Sequence, residues 1–303
     1  MTTIDSISNS PVQFNALTGL TQKEFMVLLY YFAPLCEEYY RHHDLRGGWR
    51  KVARYQERQD SSLLGAANKL LFILTYMKEN PNQAYHGAMF GMSQGKVSLW
   101  VKQLAPLLEE ALDRMNKLPK RQVSTLYAYL CACIEVVMFM DVTERRVGRA
   151  ADYQVQKLHY SGKKGCHTLK NLLITTLEGE VLYLGESFEG SHHDKAIYDQ
   201  AELVFPDQLH CLWVDLGFLA IEAEGVRIIM PDKKPKGKEL TGYQTELNSL
   251  IASIRIKVEH AIAGIKRLKI IRNQIRLHGW QARDRMMNIA CGLHNLRCQR
   301  WAT

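Results

Sequence analysis

The stretch "IEVVMFMDVTERR", residues 134–146, decides how the rest of the chain is read. Five apolar residues, Val136 to Met140, run into Asp141, and Thr143, Glu144, Arg145 and Arg146 follow. A continuous apolar run of this length predicts a strand buried on both faces, read over "EVVMFMDVTE", residues 135–144. The pattern recurs seventy-four positions later in "CLWVDLGF", where Leu212, Trp213 and Val214 lead into Asp215. In α/β sheets the C-terminal edge of such strands is where ligands sit. Two strands ending in Asp would set two carboxylates at one edge, and their repulsion raises a pKa unless a cation neutralises them. Magnesium or manganese suits such hard oxygen ligands. A strand-end Asp also serves simply to cap a turn.

Around these strands the pattern predicts an α/β domain with a mixed sheet. "GCHTLKNLLITTL" and "EVLYLGES" are two more strands about the turn Glu178-Gly179. "HHDKAIYDQAELVF" is helical, "HCLWVDLGF" and "VRIIMP" are strands, and the basic "PDKKPKGKE" (231–239) is an exposed loop. From Thr241 the chain is helical to the final "ARDRMMNIACGLHNLRCQRW". On the long helix, Ile251, Ile254, Val258, Ala261, Ile262, Ile265 and Leu268 share one apolar arc. Glu259 sits off its edge, on a stripe with Arg255 and Lys266, amid Lys257, Arg267, Lys269, Arg272 and Arg276. A lone acid there suits a metal ligand beside phosphate, or an i,i+4 ion pair with Arg255.

Upstream, residues 21–115 are read as helical. Thr21 and Glu24 form a capping box for a helix over 22–43. A second helix runs over 62–80 and stops before Pro81. "NQAYHGAMFG", a turn at Gly91 and a helix capped by Ser93 have the arrangement of a helix-turn-helix. Its second helix would present Gln94, Lys96, Ser98 and Lys102 to DNA; a plain helical bundle with those residues in water fits the spacing too. "QVSTLYAYLCACI" makes a connecting helix within 116–134, and residues 1–20 are expected as a short flexible tail without a signal sequence.

Composition sets the outer limits. With 303 residues, 47% hydrophobic and 23% charged, the chain has material for a large and a smaller domain. A formal charge of +8 favours phosphate-rich partners. The longest apolar run, Leu130 to Met140, is broken by Glu135 and too short to span a bilayer. Seven cysteines without a Cys-x-x-Cys pair argue against structural zinc and predict free, mostly buried thiols in a reducing, intracellular setting.

The ordered motifs "DVTERRV", "YSGKKGCHTLKNLLITT", "GSHHDKAIYD", "WVDLGF" and "RIKVEHAIAGIKRLKIIRN" resemble the DDE-type transposases of bacterial insertion sequences related to the PIF/Harbinger group. The resemblance runs from about residue 135 to 303. It implies a ribonuclease H-like catalytic core after an all-α helix-turn-helix DNA-binding domain. It implies a triad of Asp141, Asp215 and Glu259 holding two magnesium ions, with manganese able to substitute, roughly 3.5–4 Å apart. His193 and Asp194 fall on the family's His-Asp and would orient the site, or Asp194 would cap the next helix. One departure is "DLGFLAIE", where relatives usually carry a glycine near Ala220. The implied activity is hydrolysis at transposon ends and joining of the 3′-OH to target DNA. Lys163, Lys164, His167 and Lys170, with Arg255, Lys266 and Arg267, would hold phosphates. A homodimer or larger assembly on double-stranded DNA, in a bacterial cytoplasm at the nucleoid, is the setting expected. A catalytically silent DNA-binding relative, or a metal-dependent nuclease without strand transfer, are the alternatives.

Overall fold

In the computed structural model the opening stretch forms β1, Val137–Arg146, the strand on which one unit of the chain is built. The structure describes residues 2–59 and 61–298. The chain divides into two units, Met1–Leu118 with Lys266–Thr303, and Pro119–Ile265. Residues 266–298 thus group with the N-terminal helices, whereas the sequence pattern ran the second domain on to 303.

The Pro119–Ile265 unit holds a six-stranded mixed sheet of order β2-β3-β1-β5-β6, with β4 also on β3. The other strands are β2 (Tyr160–Ser161), β3 (Cys166–Thr176), β4 (Val181–Glu189), β5 (Cys211–Trp213) and β6 (Arg227–Ile229). β1 pairs antiparallel with β3 from Met138↔Thr176 to Arg146↔Thr168 and parallel with β5 from Val137↔Cys211 to Phe139↔Trp213. Side chains alternate across a strand. Met138, Met140, Leu172, Ile174, Leu212 and Val214 therefore share one face, and they form a core with Leu126, Leu130, Ile197 and Phe218. Phe139 and Trp213 lie on the other face, ring centroids 6.1 Å apart.

Two expectations change here. The strand read over 135–144 is β1, which runs through Asp141 to Arg146 instead of ending at the acid, because β3 keeps pairing with it. Burial continues too: Arg145 donates to Asn171 Oδ1 (3.2 Å) and Ser187 Oγ (2.6 Å), so a polar network takes over where the apolar run stops. β5 is instead the short strand, and "LGF" after Asp215 is a 3-10 turn, Leu216–Phe218. The helix expected over 192–205 is Asp194–Ala201.

In the other unit, Gln22–His42 carries the expected capping box, Thr21 Oγ1 accepting from Glu24 N and Glu24 Oε2 from Thr21 N. Gly65–Glu79 is buried from Lys69 to Met77, as suits a helix apolar on all sides. Residues 4–18 are not a flexible tail: Ile4–Ile7 and Pro11–Thr18 are helical, the second with Ser10 as cap and Pro11 at its first turn. Phe14 anchors it edge-on against Phe25, 5.1 Å between centroids.

Helices Gln83–Met89 and Gln94–Arg114 flank a tight turn with Gly91 at φ +65°. Met92 N donates to Gly87 O at 2.8 Å. A Cβ on Gly87 would lie 2.4 Å from Met92 O, so only glycine admits this turn. Ser93 holds the N-cap position without a side-chain cap bond. Val97, Trp100, Val101, Leu104 and Leu108 are buried, while Gln94, Lys96, Ser98 and Lys102 are exposed. Trp280–Cys298 closes the described chain; its expected extension over residues 299–301 lies outside the described residues. Only Cys36 and Cys291 of the free cysteines are buried, fewer than the composition suggests. Among the described residues no helix is long and apolar enough to cross a membrane.

Candidate active site

Register brings the two aspartates together. Each β1–β5 pair joins residues seventy-four apart, and that offset continued two positions past Phe139↔Trp213 sets Asp215 level with Asp141. Both lie on the Phe139–Trp213 face, away from the apolar core. Burial pushes the Asp141 carboxyl up to about 6. The Val142 N–H opposes this, the Asp215 charge adds to it, Arg255 opposes it and Asp194 adds again. Asp141 Oδ1 accepts from Val142 N at 2.7 Å.

Asp215 caps the turn after β5, Oδ1 accepting from Gly217 N at 2.7 Å, so the capping role and the place at the sheet edge belong to one residue. Its Oδ2 is 3.9 Å from Arg255 Nη2. A Cβ on Gly217 would lie 2.8 Å from Asp215 Oδ1 and 3.2 Å from Asp194 Oδ2. Bare backbone at 217 is thus what lets the two carboxylates flank it.

Asp194 opens helix Asp194–Ala201, and exposed His193 holds the N-cap position without a side-chain bond. Asp194 is fixed by Lys170, whose Nζ donates to Asp194 Oδ1 (3.0 Å) and His192 O (2.8 Å) and lies 3.7 Å from Glu144 Oε1. Lys170 is buried in that network rather than turned to phosphate. A buried lysine is retained because two carboxylates and a carbonyl replace its water.

Glu259 is on helix Gly242–Lys266, four residues after Arg255, and is exposed. Ile251, Val258, Ala261 and Ile265 of that helix are buried, as its apolar arc predicts. Among the described residues no three His, Cys, Asp or Glu side chains stand close enough to hold a metal ion. The structure thus draws Asp141, Asp215 and Asp194 into one electrostatic neighbourhood, and Glu259 stands exposed on its helix. The Asp141–Asp215 pair nonetheless fits a hard divalent cation: two oxygen-donor groups, one destabilised as an anion by burial and by its neighbour.

The other candidate contacts are scattered. Lys163 and Lys164 are exposed, in the turn before β3 rather than on the strand; His167 is half-buried against the Tyr160 ring. Lys266 is half-buried, and Arg267 donates to Asn15 Oδ1 at 2.8 Å. Gly217 and the Lys170 network carried no distinctive sequence signal, although "DLGF" does contain the glycine of a turn. Ala220 stands at φ +62°, the left-handed region that glycine prefers. Ala220→Gly is expected to stabilise the fold by about 1 kcal/mol or less, read as a higher midpoint in urea unfolding. A lower midpoint would remove strain at 220 as the account.

These features define an α/β protein with paired acids on a mixed sheet and a helical unit bearing a tight two-helix turn. Residues 140–295 match the DDE superfamily endonuclease model, and residues 61–114 match the helix-turn-helix of DDE superfamily endonuclease. The chain belongs to the DDE superfamily endonucleases, and its two-helix turn is their helix-turn-helix rather than part of a plain bundle. It is 30% identical over 211 residues to a probable transposase for insertion sequence element IS702 of Microchaete diplosiphon, covering 69% of this chain and 72% of that protein. No solved structure matches it.

Proposed function

We propose that the protein is the DNA transposase of an insertion sequence related to the PIF/Harbinger group. It binds the terminal inverted repeats of its element, cleaves there and joins the freed 3′-OH to target DNA. The observation that carries this is the level pair Asp141 and Asp215, downstream of a helix-turn-helix. The antiparallel trio β4-β3-β1, extended by parallel β5 and β6, supports taking the sheet as a ribonuclease H-like core.

Asp141, Asp215 and, by family resemblance, Glu259 would hold two divalent ions, magnesium or manganese. Such ions supply Lewis-acid stabilisation of the phosphodiester and activate water. The chain's own part is positional. The Val142 N–H orients Asp141, the Gly217 N–H orients Asp215, and Lys170 holds Asp194 beside it. Arg255, on Asp215, places positive charge where a phosphate would approach. Gln94, Lys96, Ser98 and Lys102 contact the end sequence, and Lys163 and Lys164 contact phosphates. Joining two ends calls for at least a homodimer.

The test is incubation of the full chain with magnesium, labelled duplex carrying the element's ends, and a plasmid target. Cleaved and joined products are expected from wild type and neither from Glu259→Gln. Cleavage without joining would leave a nuclease. Full activity in Glu259→Gln would remove Glu259 from the site.

A further inference from the structure

Residues 41–58, "RHHDLRGGWRKVARYQER", lie before the matched helix-turn-helix segment and form no regular element beyond the end of the first long helix. They hold six arginines and lysines against Asp44 and Glu57, a net of +4, half of the formal +8 of the whole chain. Both acids are engaged locally. Asp44 Oδ1 accepts from Arg46 N (2.8 Å) and Gly48 N (2.9 Å), bonds that hold its carboxyl below the ordinary range. Glu57 pairs with buried Lys69 at 2.6 Å. Among the described residues Arg46, Lys51, Arg54 and Arg58 make no salt bridge.

The segment is nevertheless anchored. Arg50 N donates to His42 O (2.7 Å), Arg54 N to Arg41 O (2.9 Å), and Gly65 N to Glu57 Oε2 (2.9 Å). Lys69 also lies over the Tyr40 and Trp100 rings, at 5.7 and 5.8 Å, tying Glu57 to the second helix of the helix-turn-helix. Arg50, Arg54 and Arg58 line a cavity of about 870 Å³ that Lys96 and Trp100 also line. Trp49 and Tyr55 are 77% and 80% exposed on the same segment, and Arg41 lies over the Tyr55 ring at 5.2 Å.

We infer that residues 41–58 are a second DNA-contact element, holding the sugar-phosphate backbone that flanks the site touched by helix Gln94–Arg114. This inference rests on the DNA-binding part of the proposed function. Arginines without an acidic partner, interleaved with exposed aromatic rings, suit a polyanion that also offers apolar sugar faces, as a nucleic acid strand does. The shared cavity with Lys96 fixes the element beside the recognition helix, so one duplex engages both.

The test measures binding of the full chain to a mixed-sequence DNA duplex against salt concentration, with thermal melts as a folding control. Each phosphate that the protein no longer neutralises lowers the slope of log K against log salt by about 0.9. Arg54→Gln with Arg58→Gln is expected to lower it by about 2 and to weaken binding at least tenfold at about 0.1 M salt, and Arg54→Lys with Arg58→Lys to restore most of it. Lys102→Gln, outside the cavity, reports on the recognition helix separately. An unchanged slope in the Arg→Gln pair, with a lowered one in Lys102→Gln, overturns the inference and leaves the helix-turn-helix in place. A lowered slope in the pair alone keeps the inference and removes the helix contact. No change in either overturns both.

Discussion

Asp141→Asn should abolish DNA cleavage, by about 10³-fold or more, equivalent to about 4 kcal/mol in the barrier, while leaving duplex binding intact. The same substitution should stabilise the metal-free protein at neutral pH. Burial raises the Asp141 carboxyl from an ordinary value near 3.8 to about 6. The folded state therefore holds this proton more tightly than the unfolded chain. Its contribution to stability is full below about pH 4 and is lost as pH rises through about 6. At pH 8 the ionised carboxylate costs up to about 3 kcal/mol, two pKa units at about 1.4 kcal/mol each. Asparagine has no such charge. Thermal melts in chelator should show the variant gaining over wild type at pH 8 and little at pH 4.5. Added magnesium should raise the melting temperature of wild type and not of the variant. A variant less stable than wild type at pH 8 would contradict the assigned burial, and retained cleavage would remove Asp141 from the site.

Gly217→Ala should cut the turnover of saturating DNA by about 100-fold with affinity nearly unchanged. Position 217 does not have the positive φ that disfavours alanine, so the effect comes from the methyl group alone. That carbon would meet Asp215 Oδ1 at 2.8 Å and Asp194 Oδ2 at 3.2 Å, and one or both carboxylates must give way. Catalytic groups displaced by about 1 Å lose about two orders of magnitude in rate. Duplex-binding residues on the helical unit are untouched by the change. Single-turnover cleavage would check it, and wild-type rates would show that Asp194 and Asp215 tolerate separation.

Asp141 and Asp215 were legible in the sequence because burial leaves a strong signal: two apolar runs, each followed by an acid, at an offset the parallel register then repeats. The burial of β1 beyond Asp141 was not legible. Thr143 and Arg145 look like surface residues, and only Asn171 and Ser187, from other strands, make Arg145 a core residue. Lys170 misled in the same way, since a lysine with partners distant in sequence resembles a solvated one. Glu259 was singled out as the lone acid beside the apolar arc of a basic helix and then by the family motif, and that helix presents Arg255, one turn earlier, to Asp215. Residues 41–58 carry no hydrophobic period, so a segment shaped by hydrogen bonds to turns and helix ends offered nothing for periodicity to detect. Ala220, near which relatives usually carry a glycine, occupies a left-handed conformation.

The level placement of Asp141 and Asp215 also says where this gene tolerates changes of length. Between Arg146 and Cys211 the chain leaves the pair and returns, so extra residues in its surface loops lengthen the path without moving either end. Within Val137–Asp141 or Cys211–Asp215 one lost codon would turn an aspartate through the sheet, into the layer of Met138, Met140 and Leu212. Two five-residue reading frames, held in phase across an intervening stretch free to drift, are what inheritance has to preserve.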